Sequence, residues 1–326
     1  MRYFSGKYIS VAKLKSLEIC AGGGGQAVGL EQAGFEHIAL VEIEPLACQT
    51  LKKNRPDWNV IQGDLRQFDA SPFKGQVDVL AGGVPCPPFS IAGKQLGHLD
   101  DRDLFPEAIR IAKECNPKAI ILENVRGLLS PKFKSYRKQI IHDLKKLGYS
   151  GDWRLLNASD FGVPQLRPRA ILVAIKEEHF HKFNWPSKPQ TPKPVGEVLY
   201  KEMASLGWES VEEWRKKANG IAPTLVGGSK KHGGADLGPT RARKAWLELS
   251  VDGSGLADKP PMNGFKGNPK LTLKMTALIQ GFPDDWEFVG KKTPAYRQVG
   301  NAFPPPVAAA IGKEIIRALK NGKESI

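Results

Sequence analysis

The chain has 326 residues, 41% of them hydrophobic and 25% charged, a composition typical of a globular protein with one large domain and a smaller one. Its 48 Lys and Arg residues outnumber 34 Asp and Glu residues, and the net charge of +14 favours a polyanionic partner. Four widely spaced cysteines without a Cys-x-x-Cys pair, and six scattered histidines, argue against a disulfide scaffold and a bound metal.

The first half of the sequence alternates short apolar runs with amphipathic stretches. The apolar runs are residues 17–19, 38–41, 77–80 and 119–122. Stretches 45–53 and 106–114 lie between them, and in the second the apolar residues recur at helical spacing. This alternation predicts βαβ units in a doubly wound parallel sheet, where ligands bind at the carboxyl ends of the strands.

A glycine-rich segment, residues 21–27, follows the first predicted strand and opens a helix. Glycine allows a sharp turn and a close approach to a ligand, and the helix N-terminus offers amides to it. Gly22-x-Gly24-x-x-Ala27 satisfies the dinucleotide fingerprint, and Glu42, at the end of the second strand, can accept both ribose hydroxyls. These features predict an adenosine-containing cofactor, either a nicotinamide dinucleotide or S-adenosylmethionine. The alternative is a plain glycine-rich turn.

Polar or nucleophilic side chains also follow the next three predicted strands. Asp64 can accept a hydrogen bond from an adenine amino group, or simply cap a turn. Cys86 lies among prolines in the loop after the fourth strand. A lone cysteine is usually a buried apolar residue, but a nucleophile belongs at this place if its thiol pKa is lowered. Glu123, in Glu-Asn-Val at the end of the fifth strand, can protonate a substrate ring atom if burial raises its pKa; a solvent-facing glutamate is the alternative.

Three polar residues alternate in the segment before a further strand, residues 170–175. Gln165, Arg167 and Arg169 point to one side of an extended chain, where they suit a carbonyl oxygen and phosphates. A solvated basic edge strand is the alternative.

The second half of the sequence changes in character after a proline-rich connector at residues 185–194. Up to about residue 270, Gly, Lys and Arg are frequent and no clear periodicity holds, which predicts a separate, loop-rich domain. Residues 227–234 and 240–244 contribute basic side chains there. The helical pattern returns at residues 304–319.

In this order, these segments resemble the DNA cytosine-5 methyltransferases of the bacterial restriction-modification type. The family's closing blocks resemble residues 271–283 and 296–305, and the similarity covers nearly the whole chain except about residues 185–268. The resemblance implies a Rossmann-like, S-adenosylmethionine-dependent methyltransferase domain at 1–184, completed by 292–326. It also implies a smaller, loop-rich target-recognition domain at 185–291.

The resemblance also implies a covalent mechanism at a cytosine flipped out of double-stranded DNA. Cys86 adds to carbon 6, Glu123 protonates ring nitrogen 3, and Arg169 steadies the carbonyl at carbon 2, with Arg167 and Gln165 in the same catalytic segment. Carbon 5 takes the methyl group, S-adenosylhomocysteine is released, and an unidentified base removes the carbon 5 proton.

The family's binding residues carry over to two further sets. The expected cofactor-binding residues are Glu18, Cys20, Gly22, Gly24, Gln26, Glu42, Ile43, Asp64, Leu65 and Asn301. The expected DNA-binding residues are Ser90, Thr224, Leu225, Lys230, Lys231, Arg241 and Arg243. Ile43 and Leu65 would sandwich adenine. The sequence departs from the family at Cys20, where an aromatic residue is common, and at Pro87-Pro88 in place of Gln-Gly; Lys270 and Met275 stand where Arg and Glu are frequent.

Three rival functions account for less of the sequence. A nicotinamide-dependent oxidoreductase leaves Cys86 and the Glu-Asn-Val segment unexplained. A tRNA methylase of the same superfamily carries a Cys-Phe-Thr element that does not occur here, and a catalytically inactive DNA-binding relative would not need all three catalytic residues. No secretory signal or membrane-length apolar run is present. We therefore expect a cytoplasmic, nucleoid-associated monomer without a membrane partner, linked genetically to a cognate restriction endonuclease.

Overall fold

The computed structural model describes residues 13–85, 103–187, 190–228 and 234–320. Within them, one sheet has the strand order β3-β2-β1-β4-β5-β7-β6. Its strands are β1 (Lys15–Ile19), β2 (Glu36–Glu42), β3 (Val60–Gln62), β4 (Val79–Gly82), β5 (Ala119–Val125), β6 (Tyr149–Asn157) and β7 (Pro168–Lys176). β1 to β5 are parallel, so the predicted α/β methyltransferase-type sheet is confirmed.

The last two strands differ from the all-parallel prediction. β7 is antiparallel to both β5 and β6. Only residues 158–167 connect β6 to β7, and a parallel pair needs a crossover of a dozen or more residues. The short connection therefore forces a hairpin, and it brings residues 165–169 to the carboxyl end of β5.

Helices cover both faces of the sheet. The described helices of the whole chain, including those of the second half, are α1 (Gly25–Ala33), α2 (Pro45–Asn54), α3 (Phe105–Cys115), α4 (Lys134–Lys146), α5 (Glu177–Phe180), α6 (Val195–Ala204), α7 (Val211–Lys217), α8 (Thr240–Glu248), α9 (Leu273–Gln280), α10 (Lys292–Asn301) and α11 (Pro305–Leu319). Alternate residues of β5 point to opposite faces. Ile121 packs in the core that α1 and α11 share, and Ile120 packs in the core of α3 and α4.

The C-terminal helix returns to the first half of the chain because α1 presents glycines to it. A Cβ atom at Gly29 would lie 2.3 Å from the carbonyl oxygen of Pro305, and one at Gly25 would lie 2.1 Å from that of Phe303. These contacts are possible only without side chains. They place the segment 301–305 beside the glycine-rich turn.

Residues 195–280 contain more helix than the sequence predicted. The helices α6 to α9 are short, and their apolar residues are widely interspersed with charged ones, so no helical periodicity is apparent in the sequence. Trp208, Trp214 and Trp246 are buried in a core that also contains Val28 of α1 and Leu51 of α2. This part of the chain therefore packs directly against the sheet domain. None of the described helices combines the length and apolar character needed to cross a bilayer.

Candidate active site

A cavity of about 700 Å³ lies at the carboxyl ends of β1 to β5. The predicted cofactor residues that line it are Glu18, Cys20, Gly22, Gln26, Glu42, Ile43, Asp64, Leu65 and Asn301. Gly24 does not line it; this residue has φ +89° and packs where a Cβ atom would meet Trp286 at 2.7 Å. Glu123 and Pro85 line the same cavity from β5 and from the segment after β4. The structure thus joins the expected cofactor site to the expected catalytic site.

The glycine-rich turn and the end of β2 hold the Glu42 carboxylate in a fixed position. The amide of Gly22, which has φ +54°, donates to Glu42 Oε2 at 2.6 Å, and the amide of Glu44 donates to Oε1 at 2.8 Å. Burial raises the pKa of Glu42, and these amide hydrogen bonds lower it. Each carboxylate oxygen keeps acceptor capacity for a ribose hydroxyl.

The charges around the cavity suit a sulfonium cofactor better than a dinucleotide. The charged residues of the lining are Glu18, Glu42, Glu44, Asp64, Arg66, Glu123 and Arg297. The guanidinium of Arg66 is already paired with Asp64 at 3.0 Å. A lining with five carboxyl groups and only two guanidinium groups, one of them already paired, offers few positive partners to a pyrophosphate and can stabilise a positively charged sulfur.

Other features of the lining also fit S-adenosylmethionine. Ile43 leaves 55% of its surface exposed beside the buried Leu65, so an apolar surface is available to a flat adenine ring. Glu18 is 1% exposed, and its Oε2 atom has no hydrogen-bond partner among the described residues. Burial raises the pKa of Glu18. A polar group of a bound ligand would relieve such an unpaired atom.

Glu123 and Arg169 form a buried ion pair at the cavity wall. The β5–β7 register places Val125 opposite Arg169, and Arg169 Nε lies 2.7 Å from Glu123 Oε1. Burial raises the pKa of Glu123, while the positive charges of Arg169 and Arg167 lower it. A carboxyl group with a raised pKa holds a proton more readily than an exposed one, which suits proton donation to a ring nitrogen.

The segment that leads to Cys86 is held beside this pair. Asn124 Nδ2 donates to the Val84 carbonyl at 2.9 Å, and the Leu104 amide donates to the Pro85 carbonyl at 3.3 Å. No separate role was predicted for Asn124, although its position next to Glu123 at a strand end is the signal for one. Cys86 lies outside the described residues, as do the predicted DNA-binding residues Ser90, Lys230 and Lys231.

The structure departs from the prediction at Gln165 and Arg167. Both are fully buried and bond to other parts of the chain, so neither presents a polar group to DNA. Arg167 donates to the carbonyls of Leu225 and Gly300, each at 2.7 Å. Alternation in the extended segment was the reason to expect contact with substrate, but it cannot show that other segments cover this face. Of the two arginines, Arg169 contacts Glu123.

The predicted DNA-binding residues divide into buried and exposed ones. Leu225 is fully buried, and its amide donates to Gln165 Oε1 at 2.9 Å, so its side chain belongs to the core and does not reach DNA. Thr224 is partly exposed, and its hydroxyl donates to the Leu166 carbonyl at 2.5 Å. Arg241 is exposed and Arg243 half-buried, both on α8.

Several residues of the cavity wall are not among those predicted from the sequence. Helix α10 and the turn after it contribute five of them: Pro294, Arg297, Gln298, Ala302 and Phe303. Their signal was the closing block around Asn301, of which only Asn301 was assigned to the cofactor. Among the described residues, no cluster of three or more metal-ligating side chains occurs.

Comparisons with known proteins agree with this arrangement. The sequence model of the C-5 cytosine-specific DNA methylase family matches residues 14–317. Type II methyltransferase M.NgoMIV of Neisseria gonorrhoeae is 59% identical over 94% of this chain and 98% of its own length. Type II methyltransferase M.NaeI of Lentzea aerocolonigenes is 56% identical over 94% of this chain and 75% of its own length.

Solved structures share the fold at lower identity. A protein described as a DNA modification methyltransferase of an Escherichia coli prophage has a TM-score of 0.65 and 22% identity, covering 94% of this chain and 99% of its own. Spodoptera frugiperda DNMT2 has a TM-score of 0.65 and 21% identity, covering 93% of this chain and 99% of its own.

The sheet, the glycine-rich turn and the acidic cavity define an S-adenosylmethionine-dependent methyltransferase. The chain belongs to the C-5 cytosine-specific DNA methylase family. It is an enzyme of the restriction-modification type that transfers a methyl group from S-adenosylmethionine to carbon 5 of cytosine in DNA. The predicted family, activity and cofactor are thereby confirmed.

Proposed function

We propose that Cys86, Glu123 and Arg169 methylate a cytosine that is flipped out of a specific double-stranded sequence. The observation that carries this proposal is the buried Glu123–Arg169 pair, which lies at the wall of the cofactor cavity beside the segment ending at Pro85. A base stacked in a duplex cannot reach a pair enclosed in this way, so the base must leave the stack.

The chemistry follows from the weak nucleophilicity of carbon 5 in cytosine. The thiolate of Cys86 adds to carbon 6, Glu123 gives a proton to ring nitrogen 3, and the Arg169 guanidinium holds the carbonyl oxygen at carbon 2. The electron pair then available at carbon 5 bonds to the methyl carbon as the methyl–sulfur bond breaks, and S-adenosylhomocysteine leaves with the electron pair of that bond. Loss of the carbon 5 proton to a base, return of the nitrogen 3 proton to Glu123 and expulsion of the Cys86 thiolate restore the aromatic ring.

The other cysteines are poor candidates for the nucleophile. Burial raises the pKa of the thiols of Cys20, Cys48 and Cys115, to about 11 in Cys48 and about 12 in Cys115. These three thiols keep their protons at neutral pH, and a protonated thiol is a weak nucleophile. The one remaining cysteine of the sequence is Cys86.

The cofactor would be held by residues along the strand ends. Ile43 and Leu65 would enclose adenine, Asp64 would accept from its amino group, and Glu42 would accept from the ribose hydroxyls. When bound, S-adenosylmethionine supplies an electrophilic methyl group on a positively charged sulfur. Glu18, Gln26 and Asn301 complete the wall on the side of α1 and α10.

We assign recognition of DNA to residues 185–291 and catalysis to residues 1–184 with 292–326. The net charge of +14 and the basic side chains Arg241, Arg243, Lys230 and Lys231 support contact with phosphates. Thr224 would contact a phosphate beside the flipped base, and Ser90 is a further proposed DNA-binding residue. We further propose that the enzyme acts as a monomer on chromosomal DNA in the cytoplasm, paired genetically with a cognate restriction endonuclease. Its DNA substrate and its cofactor are both found in that compartment.

Covalent trapping tests the role of Cys86. Fluorine at carbon 5 blocks the final elimination, so duplex DNA containing 5-fluorocytosine, with S-adenosylmethionine, should form a stable adduct with the wild-type enzyme, detected as a shifted band in a denaturing gel. Cys86→Ser should form none. Cys48→Ser is the matched control, because its side chain is buried and donates to the Glu42 carbonyl at 3.4 Å, which serine can also do; it should still be trapped. Trapping of Cys86→Ser, or its absence in the wild type, contradicts the proposal.

A further inference from the structure

Arg167 lies at the centre of a buried polar junction. It is fully buried, and its Nη1 donates to the Leu225 carbonyl at 2.7 Å and to Gln165 Oε1 at 3.3 Å. Its Nη2 donates to the carbonyls of Gly300 at 2.7 Å and Ala302 at 3.1 Å. The two terminal nitrogens of Arg167 thus bond to residue 165 of its own segment, to residue 225 and to residues 300 and 302.

Two buried glutamines extend this junction. Gln165 Nε2 donates to Gln280 Oε1 at 2.8 Å, and Gln165 Oε1 accepts from the Leu225 amide at 2.9 Å. Gln280 Nε2 in turn donates to the Ala302 carbonyl. We call the side chains of Gln165, Arg167 and Gln280 the buried junction. It connects the segment before β7, the Thr224–Leu225 segment, the end of α9 and the turn between α10 and α11.

The two ends of the buried junction reach different sites. Ala302, which accepts from Arg167 and Gln280, lines the cofactor cavity together with its neighbour Asn301. At the other end, Leu225 is next to Thr224, the partly exposed residue assigned to DNA contact. A displacement of Arg167 would therefore move a wall of each site.

Burial of Arg167 is energetically unfavourable if packing is its only role. Among the described residues no carboxylate forms an ion pair with it, and burial lowers the pKa of its guanidinium well below the ordinary value. An enclosed cation is tolerated only where hydrogen bonds replace its water shell, and an apolar residue of similar volume is often as stable. The fixed fork of a guanidinium nevertheless sets the relative positions of its acceptors, which an apolar side chain cannot do.

We propose that Arg167 is a positioning residue that couples DNA binding at the Thr224–Leu225 segment to cofactor binding at the Asn301–Ala302 turn. The proposal rests on the proposed contact between Thr224 and DNA. A ligand that holds one of these segments in place also holds, through the hydrogen bonds of Arg167, the other segment, so the second ligand meets a site that is already positioned. Arg167 does not touch the cytosine, a role that belongs to Arg169.

Calorimetric titration of S-adenosylhomocysteine, with and without a duplex carrying the site found by bisulfite sequencing, measures this coupling. In the wild type, DNA should lower the Kd of S-adenosylhomocysteine by about fivefold or more. In Arg167→Lys, which keeps the charge and loses the fork, the ratio of the two Kd values should approach one. Gln165→Met, which keeps Arg167, should reduce the ratio partially and serves if Arg167→Lys folds poorly. A wild-type ratio of one, or an unchanged ratio in both variants, overturns the proposal.

Separate measurements of the Kd ratio and of the single-turnover rate distinguish a positioning role of Arg167 from a catalytic one. In single-turnover reactions with saturating DNA and S-adenosylmethionine, Arg167→Lys should stay within about tenfold of the wild-type rate, because its loss is one of binding. Arg169→Lys should lower the rate about a hundredfold or more and keep the wild-type Kd ratio. If the two variants behave in the opposite way, Arg167 acts on the reacting base and the proposal fails. Trapping by 5-fluorocytosine in the wild type tests the proposed function independently of either result.

Discussion

Replacing Arg169 by methionine should make the stability of this enzyme strongly dependent on pH. Glu123 is 8% exposed, and its Oε1 lies 2.7 Å from Arg169 Nε, so solvent screens the pair weakly. Removing one partner of a buried pair costs about 3–5 kcal/mol when the other stays charged. Because Glu123 can instead take up a proton, we expect the lower end, about 3 kcal/mol at pH 8.

The sign of the pH effect follows from the direction of the pKa shift. Burial raises the pKa of Glu123 above its unfolded value, and Arg169 opposes that rise. Below the unfolded value both states are protonated, so ionisation of Glu123 contributes nothing to the free energy of unfolding. As the pH rises toward the folded pKa, the folded state retains a proton that the unfolded state releases, so the free energy of unfolding falls. Without Arg169 this fall continues to higher pH, so the deficit of the variant should be small at pH 5 and grow toward pH 8.

Urea unfolding at pH 5 and pH 8 measures both quantities. Arg66→Met is the matched control. Arg66 Nη1 lies 3.0 Å from Asp64 Oδ2 at the same cavity, but the side chains of Arg66 and Asp64 are 43% and 30% exposed. An exposed pair contributes about 0–1 kcal/mol, so this control should change little at either pH. An equal deficit of Arg169→Met at both pH values, or an equal loss in Arg66→Met, would refute the reasoning.

Two further predictions concern the cofactor cavity. Gly25→Ala should lower the melting temperature and abolish its increase with S-adenosylmethionine, because the new Cβ would lie 2.1 Å from the Phe303 carbonyl oxygen. Gly127→Ala, at a residue outside the cavity lining whose Cβ would meet none of the described atoms within 4 Å, should behave as wild type; matching behaviour of the two variants would contradict the packing argument. Ile43→Ser should leave the melting temperature nearly unchanged, because Ile43 is 55% exposed, yet weaken S-adenosylmethionine binding about fivefold or more in calorimetry. Unchanged affinity would exclude Ile43 from the adenine site.

Much of the site was predictable because strand ends are visible in the sequence. Apolar runs mark the strands, and in a parallel sheet all their carboxyl ends lie at one edge. Glu42, Asp64 and Glu123 therefore fall on one cavity, although they are far apart in the sequence. The glycine-rich turn was equally visible, since the left-handed conformation at Gly22 and the close packing at Gly25 favour residues without side chains.

The sequence by itself thus determined the parallel part of the sheet, β1 to β5, the order of its functional strand ends and the family of the enzyme, but not the antiparallel β6 and β7. Only the tertiary structure decided which polar residues face the cavity and which support it. The same alternation in the sequence applies to Gln165, Arg167 and Arg169. Leu225, Gln280 and residues 300–302 enclose the first two, whereas Arg169 forms an ion pair with Glu123. Periodicity specifies the direction of a side chain relative to its own strand. What covers that side chain depends on contacts between residues 58 to 135 positions apart, which no local pattern contains.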